Sequence, residues 1–480
     1  MSQTLTLAAA PRVRVQSWAN STLLGLVCGC LFFYGLDRGD LFRTENLRAL
    51  IAQEMLTGGD WVVPRLGGEP MFSKPPGMYA AIALCSMPMG RVTEWSARLP
   101  SALAASASVF LFAWYFRRQL GRFAGLAAGI LLPMTLLWLD KATSAEIDML
   151  HMFCIIASIL LFLRAIENHE RLRFELCLAA LLCVAGGFLT KWSAPEFFYG
   201  TIIPYLWQQR RLRVLLSWQH LLSAALAGAI ALTWIALAVH RTDWATFSYT
   251  VGNESLRRFS PAHFVFPYPW HESLYHPFKI LAAFLPMSLA VVWTLRPRFV
   301  RTCDARERRL LLAMHCWIWP QLLFWSLPSE HATRHSFPLY PGMVGLAVLA
   351  LCKAPNPRAA QRFVVGLLIV WLGLKVLFVE VIMPRRIAQR DVRGKAAQIA
   401  AVVPAHAVLH YFHINKDEGI LYYYGNAAQR HREDEIPPPA NTPRYYWLAK
   451  DKWLSWNRDG EVLWEMLDEL GKPAVLVRAK

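Results

Sequence analysis

Long hydrophobic runs separated by short polar breaks dominate the first four-fifths of this chain. Runs near 19–36, 96–116, 121–139, 149–166, 174–190, 193–208, 217–239, 277–295, 309–327, 336–353 and 361–383 predict eleven helices, because a helix needs roughly 17–25 mostly apolar residues to cross a bilayer. The run at 193–208 is short and carries Glu196. A further apolar stretch, 77–90, is interrupted by Pro88 and Gly90 and predicts a re-entrant or juxtamembrane helix. Between the first two runs, Leu47, Leu50, Ile51 and Met55 share one face of an amphipathic helix from Arg43 to Leu56, suited to lying on a membrane surface and stopped by Gly58 and Gly59. Trp61-Val62-Val63 predicts a short extended piece, and Pro75-Pro76 a turn. After about residue 384 the pattern becomes short and mixed. It predicts helix 391–402, strand 406–412, helix 417–424, strand 444–449, helix 460–470 and strand 474–478.

The fold class that follows is an α-helical polytopic membrane protein with about eleven transmembrane helices, outward juxtamembrane helices and a small C-terminal α/β domain. Its divisions are 1–383, which includes a first outward loop at 37–95, and 384–480. Composition agrees: the chain has 480 residues, 55% of them hydrophobic, 20 Trp and only 17% charged, with a mean hydropathy of +0.29. No cleavage site precedes the first run, which predicts a retained signal anchor. The tail from 384 onward has no cysteine, and disulfides are not expected.

The net charge of +17 changes the picture through its placement. Lys and Arg cluster at Arg12/Arg14, Arg117/Arg118/Arg122, Arg164/Arg171/Arg173, Arg210/Arg211/Arg213, Arg296 to Arg309, and Lys353/Arg358/Arg362, all at alternate junctions between runs. The positive-inside rule makes these junctions cytoplasmic. Topology therefore accounts for the charge, and nucleic acid is not an expected partner. The opposite junctions, 37–95, 140–148, 190–195, 240–276, 328–336 and the tail, then face outward. They hold the acids and cations with chemical potential: Glu45, Lys74, Asp148, Lys191, Glu254, Arg257, Arg258 and Arg334.

Each of these residues also has a plain structural reading. Glu45 can flank a helix start, Lys74 can extend to headgroups, Asp148 can cap the span that begins at 149, and Lys191 suits a helix C-terminus. Outward arginines can hold anionic headgroups passively. What favours chemistry is their order in motifs: Arg43-Thr44-Glu45-Asn46-Leu47-Arg48, Gly59-Asp60-Trp61-Val62-Val63-Pro64, Phe72-Ser73-Lys74-Pro75-Pro76, Ala145-Glu146-Ile147-Asp148, Leu189-Thr190-Lys191, Asn253-Glu254-Ser255-Leu256-Arg257-Arg258-Phe259, and Arg334 before Pro338-Leu339-Tyr340-Pro341.

In this order the motifs resemble the C-type glycosyltransferases that use polyprenyl-phosphate sugars, particularly the lipid A aminoarabinose transferases and protein O-mannosyltransferase relatives. The resemblance covers about the first 345 residues. Two positions depart from it: Thr44 stands where the family has Asp, and Trp192 where it has Gly. The resemblance implies an enzyme of the bacterial inner membrane that moves a sugar from a polyprenyl-phosphate donor to a lipid, glycan or protein acceptor at the outer face. Transfer from a lipid phosphate needs a carboxylate to orient or deprotonate the acceptor and cations to stabilise the leaving phosphate. Glu45 is the expected acid and Asp148 the acceptor-side acid. Lys74, Arg258 and Arg334 are the expected phosphate ligands, with Thr44, Lys191, Arg257 and Glu254 in support. The outward histidines His263, His271, His276, His331 and His335 lack the spacing of a zinc motif, so no cofactor is expected, although a divalent cation is not ruled out by sequence. A transporter or flippase, the alternative, would place its acids and cations near the middle of the spans. A catalytically lapsed relative is the other alternative, and Thr44 keeps it open.

Overall fold

A computed structural model describes residues 11–167, 172–252, 268–328, 331–412, 418–431, 435–437, 442–456, 458–468 and 471–479. The molecule is mostly helical. Among the described residues four helices are long and apolar enough to cross a membrane: Glu94–Leu120, Ile147–Ala165, Trp218–Arg241, and the rod Pro357–Val402, whose helical backbone is interrupted at Asp391 (φ 44°). A fifth crossing arises if the pair Arg122–Leu131 and Leu136–Ala142, bent by 75°, is one broken span. Shorter apolar helices cover Asn20–Phe33, Gly77–Met89, Phe174–Phe188 and Phe337–Cys352. The run expected at 277–295 is split into helices Trp270–Ala283 and Leu289–Thr294, with Pro286 between them, since proline removes a backbone donor.

One hydrophobic core unites the bundle, with Phe112, Phe116, Trp138, Phe162, Trp317 and Tyr340 among its fully buried side chains. The first loop has a core of its own. Helix Thr44–Gly58 ends at Gly59, whose φ of 71° and N–H bond to the Met55 carbonyl close it; glycine adopts that backbone without steric cost. Its apolar face meets Met78, Tyr79 and Ile82 of helix Gly77–Ser86, together with Ala145 and Ile147. That face is therefore covered by protein, where the pattern alone suggested membrane. Trp61–Val63 is a bend rather than extended chain. The Asp60 carboxylate causes it by accepting from the N–H groups of Val62 (3.1 Å) and Val63 (3.2 Å). A two-stranded hairpin follows, β1 (Arg65–Leu66) with β2 (Glu69–Pro70).

Toward the C-terminus lie β3 (Leu409–Phe412), β4 (Ala428–His431), β5 (Arg444–Ala449), β6 (Gly460–Leu467) and β7 (Pro473–Ala479), ordered β4-β3-β5-β7-β6 in one sheet. β3 is parallel to β4 and β5, while β7 is antiparallel to β5 and β6. Helices Val392–Val402, Glu418–Tyr424 and Lys450–Trp456 accompany it. The helix expected at 460–470 is instead β6. Its residues Val-Leu-Trp-Glu-Met-Leu fit either period, and pairing with β7 decides for strand, with a bulge between Val462 and Trp464. β4 and helix Lys450–Trp456 were not legible in the pattern, and the strand expected at 406–412 begins only at Leu409.

Candidate functional site

At one end of the bundle, the start of helix Thr44–Gly58 meets the turn before helix Ile147–Ala165. Glu45 is buried, with 7% of its surface exposed. Its Oε1 accepts from Arg98 Nε (3.0 Å) and the Ala145 N–H (2.8 Å), and its Oε2 accepts from the Phe42 N–H (2.9 Å) and Arg98 Nη2 (3.3 Å). Arg98 also donates to the carbonyls of Leu36, Arg38, Gly39 and Asp40 at 2.7–3.2 Å. The pair thus ties three segments together: the end of the first apolar run, the helix Glu94–Leu120 and the 145 turn.

The neighbouring contacts join the motifs further. The Thr44 hydroxyl donates to Glu146 Oε1, while Arg48 Nη1 lies 3.0 Å from Glu146 Oε2 and donates to the Thr44 carbonyl at 2.6 Å. All three side chains approach one buried point. Glu146, not Asp148, occupies the N-cap position of helix Ile147–Ala165. Asp148 is buried and accepts from Lys191 Nζ at 3.1 Å, so its carboxylate makes an ion pair with the turn after helix Phe174–Phe188 rather than a cap. Close packing then links Lys191 to Lys74: the Gly77 N–H donates to the Leu189 carbonyl at 2.7 Å, and a Cβ on Gly77 would lie only 2.7 Å from that oxygen. Lys74 is half-buried and its Nζ donates to the Ser73 carbonyl (2.7 Å).

The loop between these points is pinned to helix Trp218–Arg241. Trp234 Nε1 donates to the Val62 carbonyl (3.0 Å), and Arg241 donates to Asp60 Oδ1 (2.8 Å). Burial alone would raise the Asp60 carboxyl, but the Val63 and Val62 N–H groups and Arg241 outweigh it and hold the group below the usual range.

Not every expected residue joins this cluster. Arg334 is exposed on the turn Thr333–His335 and makes no side-chain hydrogen bond or ion pair among the described residues. Glu254, Arg257 and Arg258 lie outside the described residues. Among the described residues no three His, Cys, Asp or Glu side chains are grouped to hold a metal. His276 and His331 instead share Ser326, His276 Nδ1 lying 3.0 Å from its hydroxyl and His331 Nε2 3.1 Å from its carbonyl.

Sequence reasoning missed Arg98, Arg48 and Glu146 as members of the cluster. Arg98 carried a usable signal, since a charge inside an apolar run is expensive unless paired or facing a cavity. Arg48 and Glu146 carried only the weaker signal of sitting within the motifs.

Residues 73–236 match the model of the dolichyl-phosphate-mannose-protein mannosyltransferase family. The undecaprenyl phosphate-alpha-4-amino-4-deoxy-L-arabinose arabinosyl transferase of Pseudomonas aeruginosa (strain UCBPP-PA14) is 30% identical over 346 residues, covering 70% of this chain and 59% of that protein. The transferase of the same description from Aeromonas salmonicida is 29% identical over 339 residues, 68% of this chain and 60% of its own length. The chain thus spans about three-fifths of the length of these relatives. Its fold is that of ArnT from Cupriavidus metallidurans, whose crystal structure bound to undecaprenyl phosphate aligns with a TM-score of 0.73 at 17% identity, over 96% of this chain and 98% of that one.

Proposed function

We propose that this chain, a relative of the glycosyltransferases that use polyprenyl-phosphate sugars, is an integral membrane glycosyltransferase that moves a sugar from a polyprenyl-phosphate donor to a lipid, glycan or protein hydroxyl or phosphate. In this reading residues 1–383 cross a bacterial inner membrane eleven times, and residues 384–480 form an extracytoplasmic α/β domain. The active site opens to the periplasmic side. The observation that carries the reading is the chain of contacts from Thr44, Glu45 and Arg48 through Ala145, Glu146, Asp148 and Lys191 to Leu189 and Gly77, beside Lys74. Motifs separated by more than a hundred residues meet there.

Roles follow from the bonds each group already makes. A carboxylate has about four lone-pair sites, and Glu45 has four donors on them. Taking a proton would break one of those bonds. Glu45 is therefore a positioning residue that fixes the 145 turn, and the acceptor-side acid is Asp148, with Glu146 placed where its carboxylate reaches Thr44. Lys74 receives the donor phosphate, joined by Arg258 and by Arg334 when substrate is bound. Lys191 holds Asp148 ionised and oriented. This division of labour allows activity without the family's Asp at position 44.

The test is transfer from a radiolabelled undecaprenyl-phosphate sugar by the purified full chain. Lys74→Ala is expected to lower transfer by about 10²–10³-fold while lowering the unfolding temperature far less than loss of a buried ion pair would, because Lys74 is only half-buried. Wild-type protein that neither transfers nor hydrolyses any such donor, yet moves the lipid across vesicles, would establish the flippase reading instead.

A further inference from the structure

A cavity of about 420 Å³ lies between the segment after the first apolar run, helix Leu136–Ala142 and the rod Pro357–Val402. Its wall contains Lys375, and that residue is the feature to explain. Only 4% of Lys375 is exposed, yet among the described residues its side chain has no hydrogen bond and no ion pair. The charged group that acts on it is the like-charged Arg98. A lysine that merely extended along the helix to reach headgroups would carry its ammonium out to the surface; this one turns inward.

The acids on the same wall are all engaged elsewhere. Glu45 is held by Arg98, Asp40 by Arg393 at 2.6 Å, and Asp140 by Lys141 at 3.0 Å. Arg38, on the wall too, is paired with Glu380 at 2.5 Å. Arg386 is exposed at the rim, its guanidinium 5.5 Å from the Phe378 ring, and Arg390 stacks on Phe42 at 3.4 Å. The cavity therefore carries an excess of positive charge around a buried, uncompensated ammonium. Such an ammonium is costly to bury unless an anion joins it.

The surroundings select the kind of anion. The rod's most apolar window has a mean hydropathy of 2.4 and is only 11% buried, so this face meets lipid chains. Leu136, Leu377 and Ile382 on the cavity wall are exposed at 69%, 47% and 36%. A free inorganic anion would satisfy the cations but leave these side chains unused.

We propose that this cavity binds a phosphate-bearing membrane lipid, with Lys375 as the phosphate ligand inside, Arg386 as a second cation at the rim, and the acyl chains lying along Leu377 and Ile382. The site is separate from Lys74, and the claim concerns binding alone. It holds whether or not the transfer reaction proposed above is found.

The experiment measures equilibrium binding of a fluorescent-tailed phosphatidic acid to the purified full chain in a neutral detergent. Phosphatidylcholine with the same tail serves as comparator, and inorganic phosphate as competitor. Wild-type protein is expected to bind the phosphatidic acid at least about tenfold more tightly than the phosphatidylcholine, a difference of about 1.4 kcal/mol. Lys375→Met should remove that preference and leave the unfolding temperature equal or higher, since a buried unpaired cation is lost. Unchanged phosphatidic acid affinity in Lys375→Met overturns the proposal. Displacement of the probe by millimolar phosphate overturns its lipid part, because the anion alone would then suffice. If Lys375→Met yields no folded protein, Arg386→Glu at the exposed rim decides: a weakened affinity supports the site, and an unaltered one rejects it.

Discussion

Two single positions bear the most on whether the site stands. Glu45 and Arg98 are 9% and 5% exposed in their side chains and form the ion pair that joins the first loop to the bundle. Removing one partner of a buried pair leaves the other charge uncompensated, at a cost of about 3–5 kcal/mol. Glu45→Gln is therefore expected to lower the unfolding temperature as well as transfer, whereas Lys74→Ala lowers chiefly transfer. Chemical denaturation of both variants measures the split, and an unchanged stability in Glu45→Gln would refute the positioning role. Gly77 gives a second handle. An alanine there would push against the Leu189 carbonyl, and such overpacking costs about 1–3 kcal/mol. Gly77→Ala should reduce donor affinity by displacing Lys74 from its place beside the Leu189-Thr190-Lys191 turn, read as a raised KM for the polyprenyl-phosphate sugar. Sequence supplied Glu45, Lys74, Asp148 and Lys191 because each stands in an ordered motif. It gave no sign that Glu45's lone pairs would be filled, since three of the four donors come from Arg98 and Ala145, far along the chain.

Among the elements, the first outward loop and the C-terminal sheet behave differently with pH. In the sheet, β3 residue His410 is 8% exposed, its Nδ1 lies 3.0 Å from His431 Nε2, and its ring is 5.4 Å from that of Tyr446. Burial, then the neighbouring His431 and Arg444, push its pKa down from 6.5 to about 4. A lowered folded-state value means that the neutral ring is favoured in the sheet. The associated stability is complete above about pH 6.5 and is lost as the pH falls toward 4, by on the order of 3 kcal/mol at most. Thermal unfolding followed from pH 7.5 to 5 should show this loss in the wild type and a flatter profile in His410→Gln; parallel profiles would remove His410 as the cause. In the loop, Asp60 has a lowered pKa as well, but as a carboxylate it holds its bend until the pH falls through that lower value. At mildly acidic pH the loop should therefore persist while the sheet weakens. Element types were legible where one period dominated, as in the apolar runs and at 444–449. They failed at β6, whose side chains suit both periods, and at β4, four residues too short to show alternation.

For the whole molecule, the arrangement of the charge clusters makes a claim about sidedness that can be checked directly. Single cysteines at the exposed positions Glu69 and Arg334 should react with a membrane-impermeant maleimide added outside intact cells, and ones at Arg210 and Arg358 only after permeabilisation. Labelling of Glu69 and Arg334 from opposite sides would break the proposed site. The C-terminal segment contributes to holding that face together: Arg393 bonds Asp40 and Glu94, and Tyr423 donates to Glu94 and receives the Leu41 N–H.

Hydropathy and charge placement needed no structure, because a bilayer imposes its period and its sidedness on any chain that crosses it. They determined a mostly helical chain with apolar helices and a set of acids and cations assigned to one side. Only the tertiary structure could decide which of those groups are spent on one another. Ion pairs such as Glu45 with Arg98 and Asp148 with Lys191 depend on distances between residues 43–53 positions apart. The same holds for the ammonium of Lys375, which the sequence offers as one more interfacial lysine. Its burial without a partner is a consequence of how the rod packs against the loop.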